Sequence, residues 1–296
     1  MSYDDQWLDI LKEMTEVADT IKSLVPGLGL WNSADEDFFR YYFADRMVNI
    51  GKSVASLTEL GFFHEAGVAA RTAVEGLLYF EAYKRTPSLA RLFRLFGIYE
   101  GYDETYRTAR WHERKRQREQ KLNDETAVDA AAKAAADKWL YDLKKRTPES
   151  FVKDAEQEFE FEKRGLKWHK WPLRDLVRSI KPVEQEVRNR NSQSSDEELE
   201  ELVEYISSDD PWGDLFYFTY HALSQVAHWT PIGVVNWEDA GTYVNSALTA
   251  TIHCLFTIAV SINDEYKEIQ FDNDLSSIKD RYNRKAKETL RNMQAL

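Results

Sequence analysis

Residues 240–263 read AGTYVNSALTATIHCLFTIAVSIN and contain no Asp, Glu, Lys or Arg. An uncharged helical run of this length belongs either in a bilayer or in the interior of a protein. Asn245, His253 and several Ser and Thr interrupt it, and Glu238, Asp239, Asp264 and Glu265 bound it. Neither end has the basic flank or aromatic belt of a membrane span. The reading that fits is a central helix buried on all sides, with no membrane contact, and the rest of the chain must supply the layers around it.

Those layers are helical. Only 12 Gly and 7 Pro occur in 296 residues, too few for a loop-rich β fold. Nearly every segment repeats its apolar residues at the helical period. The first helix is expected from about Asp4 to Leu24. A second should begin near Ser33 or Asp35, where Glu36 and Asp37 suit a helix N-terminus, and end near Gly61. A third covers about Phe62 to Arg85, and a fourth starts near Ser88 and breaks around Gly97 and Gly101. From Tyr102 to Arg146 the chain is charged, rich in alanine and free of Gly and Pro, which is helix-forming composition, with a turn at Asn123-Asp124. A further helix follows Pro148, residues 196–207 form a short acidic one, and a final one runs from about Leu275. The fold class is therefore all-α: a multi-helix bundle with a long protruding charged helical hairpin. It reads as a single helical domain, with its core at about 1–101 and 148–296 and the hairpin inserted at about 102–147.

A net charge of −12 argues against general nucleic-acid binding. Cys254, the one cysteine, excludes an internal disulfide and reads as a buried thiol. The start, MSYDDQWLDILKEM, is acidic and unlike a signal peptide, so a cytoplasmic protein is expected.

Two helical stretches carry polar residues on one side. In the third helix His64, Arg71 and Glu75 share a narrow stripe with Val68, Leu78 and Ala82, read as core-facing. Near residue 220, Tyr220, Ser224 and His228 climb one face with His221 beside them. Titratable groups on a core-facing stripe require a partner, a ligand or water. The four-residue spacing of Arg71 and Glu75 fits a structural ion pair and a polar site equally. Arg71, Glu75 and His228 are the candidate catalytic residues. His228 has the proton affinity for acid–base work, and Tyr220, Ser224, His221 and His64 would bind substrate. Ser224 lacks a nucleophile elbow, which disfavours serine hydrolysis. No metal-ligand spacing or nucleotide-binding loop is present, so neither metal nor cofactor is expected.

The arm from Arg107 to Lys121 holds seven basic residues against Glu113 and Glu119, a local charge of +5. Arg107, Arg110, Arg114, Lys115, Arg116 and Arg118 are the candidate contacts for nucleic acid or a protein partner; a solvated face with internal ion pairs is the competing reading. Trp168, Trp171, Trp229 and Trp237 read as core or groove lining.

The early Arg71-x-x-x-Glu75 helix, Trp171 followed by a helix, and the late Tyr220-x-x-x-Ser224-x-x-x-His228 helix resemble a widespread bacterial, all-helical family known only as a domain of unknown function. The resemblance spans roughly residues 45 to 235 and implies an intracellular bacterial protein, in some members tied to phage defence or stress. A looser similarity is to HEPN bundles, many of them RNases with an R-x(4–6)-H motif. Arg188-Asn189 begins such a motif, but the next histidine is His221. Two functional readings follow. One is a cytoplasmic defence or stress-response protein with an intrahelical polar pocket and HEPN-like action on RNA or a nucleotide. The other is a non-catalytic scaffold that grips a protein partner through the 102–146 hairpin. A homodimer is compatible with either, and whether the chain is an enzyme is left open by its sequence.

Overall fold

The structure, a computed structural model, describes residues 4–25, 34–85, 88–122, 124–159, 161, 240–266 and 271–294. Every regular element among them is helical: α1 (Asp5–Ile21), α2 (Asp35–Glu59), α3 (Phe63–Arg85), α4 (Ser88–Glu119), α5 (Glu125–Lys144), α6 (Glu149–Glu158), α7 (Ala240–Tyr266) and α8 (Asp272–Gln294). The chain divides into two compact units, Met1–Leu28 with Arg40–Arg85 and Leu173–Leu296, and Gly29–Phe39 with Thr86–Pro172.

In the first unit the uncharged run is α7, and α1 and α3 pack along it. Val244, Ala247, Leu248, Ile252, Leu255, Ile258, Ala259 and Ile262 are buried, while Ser246, Thr249, Phe256, Thr257, Val260 and Ser261 are half-buried. Over Val244–Tyr266 the helix is long and apolar enough to cross a membrane by length and composition, yet most of it is covered by protein. Each large apolar side chain sealed here contributes about 1.5–3 kcal/mol. The hydroxyls on α7 turn inward on its own backbone: Thr249, Thr251 and Thr257 donate to the carbonyls of Asn245, Ala247 and His253 at 2.7–3.0 Å. Asp4 caps α1 by accepting from the Gln6 amide, and its own amide donates to Asn245 Oδ1 at 3.2 Å, so α1 is registered on α7 from its first residue. Gly51 of α2 lies so close to Thr15 and Leu255 that a β-carbon there would stand 2.7 Å from the Thr15 hydroxyl. The helix ends are set by local rules. Gly61 takes φ 77°, and the amides of Gly61 and Phe62 return to the carbonyls of Thr58 and Leu57, a Schellman ending that turns the chain from α2 into α3.

In the second unit α5 and α6 both pack on α4. The inner face of the charged segment is apolar: Leu95, Ile98, Tyr102 and Tyr106 of α4 meet Ala132, Ala136, Leu140 and Leu143 of α5 and Val152 and Ala155 of α6. The Tyr102 and Tyr106 hydroxyls donate to Asp137 and Asp129 at 3.0 and 2.8 Å, so α4 and α5 run antiparallel. The break expected at Gly97 to Gly101 does not occur, and α4 continues from Ser88 to Glu119. Gly101 has a packing role, because a β-carbon at that position would collide with the Trp139 indole. Gly97 is exposed and faces open space. Arg94 anchors the other end of α4. Its side chain is 1% exposed, lies between the Phe38 and Phe151 rings at 4.7 and 4.6 Å, and pairs with Asp35 at 2.8 Å. Arg91 pairs with the same carboxylate at 3.1 Å and also with Asp154.

The two glycines of α4 should respond oppositely to alanine. Gly97→Ala is expected to raise stability by about 0.5–1 kcal/mol, because an exposed helical glycine loses only backbone entropy. Gly101→Ala is expected to lower it, since the indole must leave its site. Urea denaturation of the two variants reads both signs directly.

Candidate functional site

α3 is where the sequence pattern and the described structure meet. Ala66, Ala70, Ala73, Val74 and Leu77 are fully buried, and the three alanines let α3 lie close to α7. At 100° per residue that face is centred roughly opposite the stripe of His64, Val68, Arg71 and Glu75. The stripe is therefore not core-facing over this half of the helix, contrary to the expectation from sequence. Only lower down, at Leu78 and Ala82, does the same line become buried. Val68 is 39% exposed, and His64 is half-buried.

Arg71 and Glu75 do form their ion pair, Nη2 to Oε1 at 3.1 Å, with side chains 21% and 34% exposed. The pair is thus reachable from solvent while its stems rest on a packed helix. Partial desolvation at this depth strengthens the attraction between the two charges. His228, Tyr220, Ser224 and His221, the residues expected to complete this site, lie outside the described residues, as do Trp168, Trp171, Trp229, Trp237 and the 196–207 segment.

The basic arm resolves differently from its composition. Arg107 pairs with Asp103 at 2.5 Å, and Arg110 with Asp129 and Glu125 at 3.0 and 3.3 Å. Arg114 pairs with Glu125 at 2.7 Å, and Arg116 with Glu113 at 2.5 Å. The Arg114 hydrogen bond holds the Glu125 carboxyl below its ordinary range, and Arg116 does the same for Glu113. Four of the six candidate contacts are therefore engaged by carboxylates, two of them across the α4–α5 seam. Lys115 sits 5.7 Å from the Trp111 ring, against which His112 also packs at 4.8 Å, and Arg118 is exposed with no ion pair among the described residues. An R-x(4)-H spacing occurs in the sequence at Arg107 and His112 and again at Arg164 and His169, so the spacing by itself singles out neither pair.

Two further features stand apart from the α3 pair: the buried His253–Cys254 step, expected from the uncharged run, and a crevice with no clear sequence signal. His253 is buried in α7, and burial pushes its imidazole down to about 4; the neighbouring Cys254 thiol is pushed up by the same cause. A crevice of about 390 Å³ opens between α1 and α8, lined by Gln6, Asp9, Ile10, Arg281, Arg284, Lys285 and Glu288. Its charges are largely compensated, with Lys285 on Asp4 at 2.7 Å and Arg281 on Glu13.

A family model described as a family of unknown function, DUF5677, matches residues 41–241. No curated protein and no solved structure matches the chain.

His253 makes stability depend on pH with a definite sign. Its folded-state proton affinity lies below the unfolded value, so the unfolded chain binds the extra proton, and stability complete above about pH 6.5 drains away as pH falls toward 4. The loss between pH 6.5 and 4.5 is expected to be about 2–3 kcal/mol. Urea midpoints over that range should fall in the parent protein and stay flatter in His253→Leu. Arg71→Ala, by contrast, should cost no more than about 1 kcal/mol, because the pair is half-exposed; a thermal melt checks this.

Proposed function

Because the chain belongs to this family of unknown function, whose span runs from α2 through α3 to the start of α7, we propose a role for it as a cytoplasmic bacterial defence or stress-response protein, with a polar site on α3 that acts on RNA or a nucleotide in a HEPN-like manner. The observation that carries this reading is the Arg71–Glu75 pair, held at 3.1 Å on the outward side of a tightly packed helix rather than sealed in the core. A purely architectural ion pair gains little at such a position.

In this reading Arg71 binds the phosphate and stabilises the charge that develops on its oxygens. Glu75 fixes the guanidinium in place and so sets its orientation toward the ligand. His228 transfers protons, taking one from the attacking hydroxyl and returning one to the leaving oxygen. Tyr220 and Ser224 hydrogen-bond the ligand, and His64 and His221 flank it. The test is RNase activity in vitro and growth inhibition on overexpression, for the parent, Arg71→Ala and His228→Ala. Loss of both in each variant, at near-parental melting temperature, is the expected result. Unchanged activity, or toxicity in both variants equal to the parent's, ends the catalytic form of the reading.

A second reading is favoured by a separate observation. The arginines of α4 are largely neutralised by carboxylates, while Trp111 and Tyr141 are about 60% exposed. Large exposed aromatics beside few free cations suit a protein contact better than a phosphate track. On this reading the α4–α5 pair is a partner-binding surface.

A further inference from the structure

We infer that the outward face of α4 around Trp111, Lys115 and Arg118 docks an acidic amphipathic helix of a protein partner. This rests on the partner-binding reading of the α4–α5 pair and names the chemistry of what it would bind.

The three residues are spaced i, i+4 and i+7, so they fall within an arc of roughly 60° and span about 10 Å of the helix axis. All three are exposed, Trp111 by 60%. The opposite side of α4 is consumed by the core with α5 and α6, where Tyr102 and Tyr106 are buried. Trp111 is therefore not a core residue at the edge of its packing. It is held by contacts within its own helix, against His112 at 4.8 Å and beneath the Lys115 ammonium at 5.7 Å. Leu122, just past the helix end, is exposed as well. The end itself is a Schellman turn made without glycine: Lys121 takes φ 56°, and the Lys121 and Leu122 amides return to the carbonyls of Arg118 and Gln117. A left-handed lysine is disfavoured sterically, and the turn brings Lys121 and Leu122 out as an exposed cation and an exposed aliphatic side chain.

Charge decides which partner fits. Of the seven cations between Arg107 and Lys121, the four on either side of this face are tied to Asp103, Glu113, Glu125 and Asp129. Lys115, Arg118 and Lys121 have no ion pair among the described residues, and all three are exposed. They form a short patch edged by carboxylates and anchored on an exposed indole. A nucleic-acid strand needs a longer track of free cations and would meet those carboxylates at each step. An amphipathic helix with carboxylates one and two turns from an apolar residue matches the spacing: the apolar residue covers Trp111, and the carboxylates face Lys115 and Arg118.

The experiment uses the full chain and a fluorescein-labelled peptide of three Glu/Leu heptads, followed by fluorescence anisotropy at about 0.1 M salt. A scrambled peptide of the same composition and a poly(U) oligonucleotide are the comparison probes. Saturable binding of the heptad peptide is expected, weakened about tenfold or more by Lys115→Glu with Arg118→Glu, and several-fold by Trp111→Ala. These positions are exposed, so circular dichroism should show the helical content of each variant unchanged. Equal binding of the scrambled peptide, or heptad binding that ignores both variants, overturns the proposal. Poly(U) binding that is lost on charge reversal, without peptide binding, also overturns it, but leaves the α4–α5 pair as a contact surface. If no probe binds, the acidic-helix proposal is overturned, while the partner-binding reading itself is decided separately by whether the Trp111→Ala and Tyr141→Ala variants change capture of a protein partner from cells.

Discussion

The first unit is organised by the need to bury α7. A helix whose first charged side chain is Asp264 gains nothing from solvent, and each of its faces must find apolar cover. α1 and α3 supply it along two sides, and Gly51 lets α2 come down onto Thr15 and Leu255. The polar atoms that enter with α7 are handled internally: threonine hydroxyls bond to carbonyls a turn back, Asn245 takes the amide of Asp4, and Asn263 donates to Asp272 at 2.6 Å. Burial without a compensating charge depresses the proton affinity of His253, so it sits in the core as a neutral imidazole. The same constraint shapes α3. Its close approach to α7 uses alanines, and residues that cannot be buried cheaply are turned to the other side, Arg71 and Glu75 among them.

The second unit depends on α4 being two-faced. Its inner face is aromatic and aliphatic, and alanines on α5 allow the two helices to approach closely. Gly101 makes room for Trp139. Arg94 is an almost fully buried cation, an expensive arrangement unless it is paired, and Asp35 with the Phe38 and Phe151 rings meets that requirement. Toward the far end the arginines change role, from apparent nucleic-acid ligands to ion-pair partners of carboxylates on α4 itself (Arg107, Arg116) and on α5 (Arg110, Arg114). A composition of +5 thus becomes a small patch of free cations around one exposed indole.

Several of these features were legible in the residues. The limits of α1, α2 and α3 and the start of α4 followed from local signals: Asp4 as a cap, Asp35 to Asp37 in a first turn, Gly61 in the left-handed region. The turn before Glu125 was legible for the same reason, since Asp124 accepts from the Ala127 amide at 3.0 Å. The errors were non-local. Gly97 and Gly101 look alike in sequence and were read together as a break, but only Gly101 has an indole against it, contributed from a different helix. The stripe of His64, Arg71 and Glu75 was aligned correctly and assigned to the wrong side, because periodicity says which residues share a face and not what the face meets.

The sequence by itself determined that this protein is helical, where most of its described helices begin and end, that one of them must be buried, and that Arg71 and Glu75 would pair. All of these depend on neighbours within about four residues or on apolar content, which the linear order contains. Only the tertiary structure decided which side of α3 faces α7, which of two glycines is essential to packing, and which arginines keep a free charge. Those outcomes depend on distances between residues far apart in the chain, such as Gly101 to Trp139 or Arg110 to Asp129, and chain order does not encode such distances.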